Sequence, residues 1–113
     1  MHELGVMIEV VKSVEKIYTE QGLTKIDALV LQIGELSPVI PKYIEACYPA
    51  AADGTVLENA RLVIETLPGN GRCKHCRKIF NVAENRNKCP HCGSPRFELL
   101  SGREFLIKEI VAC

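Results

Sequence analysis

Two Cys-x-x-Cys units, Cys73-Lys74-His75-Cys76 and Cys89-Pro90-His91-Cys92, stand twelve residues apart near the end of this chain. Four thiolates at that spacing can converge on one tetrahedral ion, and an all-sulfur set suits a borderline-soft ion such as zinc. Six cysteines with no export signal ahead of them favour a reducing cytoplasm and metal binding over a disulfide framework. A catalytic zinc keeps one coordination position open, whereas four cysteines close the shell. The expectation is therefore a structural Zn(II) held by Cys73, Cys76, Cys89 and Cys92.

Charge is distributed unevenly around this motif. Residues 1–71 hold five Lys/Arg against ten Asp/Glu, and residues 72–96 hold seven Lys/Arg against Glu84 alone. An acidic body thus carries a basic module, although the net charge of the 113-residue chain is zero. Zinc with four thiolates is formally doubly negative, and the surrounding Lys and Arg partly offset it. What positive charge remains leaves open an acidic protein partner or a nucleic acid bound by the basic 72–96 segment. Phe80 and Phe97 are the only stacking candidates nearby, which is thin for a single-strand platform. No run of eighteen apolar residues argues for a membrane span.

Taken in order, residues 3–21 read as an amphipathic helix, with Leu4, Met7, Ile8, Val11, Val14 and Tyr18 at helical spacing. Gly22 stops it. Residues 26–36 read as a strand with Leu29, Leu31 and Ile33 on one face. Pro41 opens a second helix whose apolar face is Ile44, Cys47, Tyr48 and Ala51, ended by Asp53-Gly54. A second strand covers 61–67, and Pro68-Gly69-Asn70-Gly71 reads as a turn-rich hinge. Lys78–Ala83 and Phe97–Leu100 are short strands of a zinc ribbon too small to fold without its metal. Ser101-Gly102 reads as a second hinge, and 104–112 as a strand returning to the first domain. The expected class is α+β: a three-stranded sheet with two helices (1–68 and 104–113) and an inserted zinc-ribbon domain (69–103).

Cys47 fits the buried helix face as a small hydrophobe, and His75 and His91 read as exposed turn residues. The other end of the chain offers a different donor set. The Met1 α-amine, the His2 backbone nitrogen and the His2 imidazole can close adjacent chelate rings on one metal, with the Glu3 backbone nitrogen as a fourth in-plane donor. All-nitrogen planar ligation suits nickel(II) or copper(II) and not zinc. The first amides of a helix have no intrahelical acceptor, so deprotonating them breaks no helix bond.

With Met1-His2-Glu3, a helix directly behind it, and Cys73-x-x-Cys76 and Cys89-x-x-Cys92 in the C-terminal half, the chain resembles the HypA/HybF family of hydrogenase maturation factors. That resemblance spans the whole chain. It implies a non-enzymatic nickel metallochaperone: Ni(II) as transferred cargo at His2, with Met1 and Glu3 beside it, and structural zinc on the four cysteines. It also implies partners, namely the GTPase HypB and the large subunit of [NiFe]-hydrogenase, with urease served in some organisms. A nucleic-acid partner does not follow from it. Independently, the sequence offers no Ser/His/Asp or Cys/His nucleophile pairing and no Gly-rich phosphate loop.

Overall fold

The computed structural model describes residues 2–113; Met1 lies outside the described residues. In chain order the elements are α1 (His2–Glu20), β1 (Ile26–Gly34), α2 (Pro41–Ala52), β2 (Arg61–Leu67), β3 (Asn70–Cys73), β4 (Ile79–Asn81), β5 (Phe97–Leu99) and β6 (Phe105–Ala112). They form two compact units. The first comprises the residues up to Gln32, Val39–Glu65 and Leu106–Cys113; the second comprises Ile33–Pro38 and Thr66–Phe105.

In the first unit the sheet order is β2-β1-β6, and α1 packs on α2. The Thr24 amide donates to the Cys113 carbonyl and the Cys113 amide to Lys25, each at 3.0 Å, so β6 runs antiparallel to β1. The Gln32 side-chain amide meets the Glu65 carboxylate at 3.2 Å, and the Glu35 amide donates to Leu67 at 2.8 Å. That rising register makes β1–α2–β2 a parallel crossover. The expected three-stranded sheet with two helices is what forms.

Being central, β1 is buried on both faces: Ile26, Ala28 and Val30 are as enclosed as Leu29, Leu31 and Ile33. The alternation read from the sequence caught only the second set. α1 is also rotated from its expected face. Its buried stripe runs through Glu3, Met7, Val10, Val11 and Val14, while Ile8 is 42 % exposed. In α2 the buried set is Ile44, Cys47, Tyr48 and Ala52 rather than Ala51. Pro41 starts that helix, and Pro49 sits inside it without ending it. The buried Tyr48 hydroxyl secures the following loop, lying 3.0 Å from the Ala60 carbonyl and 3.3 Å from that of Leu57.

In the second unit the sheet order is β4-β3-β5, with β3 antiparallel to both neighbours; Gly71 faces Phe80 on one side and Leu99 on the other. The central strand falls where the sequence reads as a hinge, because its glycines serve packing instead of freedom. A Cβ at Gly71 would stand 2.8 Å from Phe97 Cδ2 and 3.1 Å from Val82 Cγ2. Ser101-Gly102, the other expected hinge, is likewise tied down. The Ser101 hydroxyl donates to Pro68 O at 2.8 Å, the Gly102 amide to the Glu104 carboxylate at 2.7 Å, and the Leu36 amide to Gly102 O at 2.7 Å. Glu35 accepts bonds from the Gly69 amide and the Asn81 side chain, both at 2.8 Å. The small core holds Cys73, Phe80, Val82 and Cys89, with Leu36, Cys76, Phe97 and Leu99 packed against it.

Candidate metal centre

The four sulfurs of Cys73, Cys76, Cys89 and Cys92 lie within 4.8 Å of one another. The Cys73–Cys92 and Cys76–Cys89 separations are both 3.5 Å. A tetrahedral zinc with Zn–S bonds of about 2.3 Å sets its sulfurs about 3.8 Å apart, so the arrangement fits the ion.

The two knuckles share one local geometry. In the first, the Cys73 amide donates to Lys78 O (2.9 Å) and the Arg77 amide to Cys73 O (3.0 Å); in the second, the Cys89 amide donates to Ser94 O (3.0 Å) and the Gly93 amide to Cys89 O (2.8 Å). Each turn reverses through a positive φ, +68° at Arg77 and +75° at Gly93. The His75 and Cys76 amides point at Cys73 Sγ, both at 3.4 Å.

These amides prepare the sulfurs for a cation. The Cys76 amide, followed by that of His75, draws the Cys73 thiol down to about 6 against local desolvation. In Cys89, desolvation opposes ionisation, and the His91 and Cys92 amides outweigh it to lower the thiol. The second cysteine of each knuckle behaves oppositely. The Lys78 amide favours the Cys76 thiolate, but desolvation and the neighbouring Cys89 and Cys73 sulfurs prevail and raise it. Cys92 has only the Ser94 amide in its favour and is pushed up to about 11 by desolvation and by Cys73 and Cys89. Two thiols are thus lowered, and two are raised by desolvation and by hydrogen bonds in which the neutral thiol is kept against the other sulfurs. A divalent cation at the centre removes that obstacle.

His75 and His91 are exposed. Cys47 is 5 % exposed, its thiol raised by burial. Phe80 is buried and meets Phe97 edge-on at 5.6 Å, so the alternative of a nucleic acid bound by the basic 72–96 segment gains no stacking residue from it. At the other end, His2 is exposed in the first turn of α1, whereas Glu3 is 8 % exposed on the helix's core face. Its negative charge reaches Cys47 on α2 and disfavours that thiolate. The burial of Glu3 could not be read from the terminal tripeptide alone; its spacing to Met7 and Val10 is the available signal.

The family model described as hydrogenase/urease nickel incorporation, metallochaperone, HypA, matches residues 1–112. The chain belongs to the HypA family. Curated relatives named hydrogenase maturation factor HypA include that of Geobacter metallireducens, 42 % identical with 97 % of each chain covered. Another, from Streptomyces avermitilis, is 41 % identical, covering 97 % of this chain and 86 % of the relative. Among solved structures, that of the nickel metallochaperone HypA from Helicobacter pylori has a TM-score of 0.68 at 21 % identity, covering 97 % and 96 % of the two chains. A second HypA solution structure gives 0.71 at 23 % identity, covering 100 % and 97 %. Both carry the HypA fold. The family is one of nickel metallochaperones for hydrogenase maturation, and the four-cysteine cluster fits a structural zinc site. No helix among the described residues is long and apolar enough to cross a membrane.

Proposed function

We propose that this HypA-family chain is a cytoplasmic, non-enzymatic carrier that binds Ni(II) at Met1-His2-Glu3 and delivers it for [NiFe]-hydrogenase maturation. Its handover partners are a HypB-type GTPase and the hydrogenase large subunit, and its 69–103 domain is held by structural zinc. The observation that carries the reading is the family match over residues 1–112. Local geometry supports it. α1 begins at His2, so the His2 and Glu3 amides belong to the first turn and have no intrahelical acceptor. The His2 side chain is exposed and free to swing onto a metal. The buried Glu3 side chain anchors the tripeptide to the core, so Glu3 contributes its backbone nitrogen to the nickel while its charge complements the helix N-terminus.

Calorimetric nickel titration of untagged His2→Ala tests the proposal. The expected result is loss of nickel binding with zinc content and circular dichroism unchanged; wild-type nickel affinity in this variant would overturn it. A residue added before Met1 should weaken nickel comparably, because the α-amine becomes an amide.

A further inference from the structure

Beside the sulfur cluster lies a recess of about 230 Å³ lined by Lys74, His75, Ser94 and Arg96. Lys74 and His75 belong to the first knuckle, whereas Ser94 and Arg96 follow the second. A backbone bond from the Lys74 amide to Arg96 O (3.0 Å) joins the two sides. The Arg96 amide donates to Ser94 Oγ at 3.2 Å, which leaves the hydroxyl proton for a ligand. Among the described residues neither Lys74 nor Arg96 is in an ion pair. The acid nearest in the ladder, Glu98, stands opposite Arg72 rather than Lys74.

The first knuckle also carries a cation where the second has glycine. Arg77 holds a positive φ at the position equivalent to Gly93 in the second knuckle, a backbone region that only glycine enters without strain. We propose that the Lys74–His75–Ser94–Arg96 recess docks a side-chain carboxylate of an acidic segment on a protein partner, and that it exists only while the four cysteines share a metal. The recess is smaller than the cavities that enclose nucleotide-sized ligands. The metal-bound four-thiolate cluster behind it is formally doubly negative, which favours a monoanionic carboxylate over a phosphate dianion. Metal dependence follows from folding: the β3–β5 pairing that sets Lys74 beside Arg96 belongs to a ribbon too small to fold without a metal on its four cysteines. This inference is independent of where nickel binds.

The test is fluorescence anisotropy of a labelled hexaglutamate peptide with the full-length, zinc-loaded protein at low salt. Saturable binding is expected. Lys74→Ala/Arg96→Ala, with its zinc content verified, should weaken it by about ten-fold or more. Lys12→Ala/Lys16→Ala, removing two exposed cations of α1, should leave it unchanged, and chelation of zinc should abolish it. Absence of binding, or equal affinity in the two double variants, would overturn the carboxylate site. Displacement of the peptide by inorganic phosphate more readily than by acetate would reassign the recess to phosphate and overturn it too. Binding that survives zinc removal would refute the metal dependence.

Discussion

Gly34→Ala and Gly5→Ala are the same chemical change with opposite expected signs. At Gly34 an added Cβ would fall on the Gly102 carbonyl, with the Arg103 nitrogen 2.7 Å away. These are backbone atoms and cannot rotate aside. They are fixed by bonds from the Gly34 amide to Glu104 O (2.8 Å) and from the Leu36 amide to Gly102 O (2.7 Å). Overpacking of this kind costs about 1–3 kcal/mol, and one hydrogen bond broken in relieving it adds about 1 kcal/mol. The expected destabilisation is about 3 kcal/mol. At Gly5, inside α1, a Cβ meets no described atom within 4 Å. Alanine there relieves the helical penalty of glycine and stabilises by about 1 kcal/mol. In urea, with a slope of about 2 kcal/mol/M, the midpoint should fall by about 1.5 M for Gly34→Ala and rise by about 0.5 M for Gly5→Ala. Zinc-saturated protein followed by circular dichroism is the assay. A Gly34→Ala midpoint at or above wild type would refute the argument that the two backbones meet there.

Two further outcomes follow from the hydrogen bonds. Tyr48→Phe leaves the Ala60 and Leu57 carbonyls without their hydroxyl and should cost about 1–2 kcal/mol, read as a lower thermal midpoint; no change would show that the hydroxyl is dispensable. The Gly69 amide, with help from Asn81, holds the Glu35 carboxyl below its ordinary 4.5. Its contribution is therefore complete above that value and is lost as pH falls through the lower folded one. The wild-type advantage over Glu35→Gln in urea should shrink on acidification, and an advantage that grows would contradict the sign.

Much of the molecule was legible in the sequence, for physical reasons that vary by element. α1, β1, α2, β2 and β6 announce themselves through apolar periodicity that outweighs local propensity. β3 does not, because Asn70-Gly71-Arg72 has the composition of a turn; only the three-dimensional position of Phe97 and Val82 shows why a strand needs glycine there. Leu36 and Glu35 lie at the end of one strand in the chain yet belong to the second unit, a non-local relation that no window of sequence contains. The rotation of α1 that buries Glu3 and exposes Ile8 has the same origin, since helical spacing fixes a stripe but leaves its edges open. The four cysteines were fully legible, because metal-ligand spacing is a covalent constraint. What spacing does not reveal is the alternation of easily and reluctantly ionised sulfurs, which depends on amide directions.

The second sheet is spliced between β2 and β6, and this ordering would give a metal on the four cysteines a reach beyond their sulfurs. While the ribbon is unfolded, β6 hangs from β2 by a loose tether of about forty residues. Once it folds, the Leu67–Glu35 and Gly102–Leu36 bonds bring the two ends of the tether to neighbouring residues just past β1, leaving a gap of only a few residues' length. Loop-closure entropy scales as (3/2)RT ln n, so that shortening is worth about 2 kcal/mol to the docking of β6. Metal capture therefore lowers the entropic barrier to completing the first sheet through the connectivity of the chain, without requiring any side chain to carry the signal.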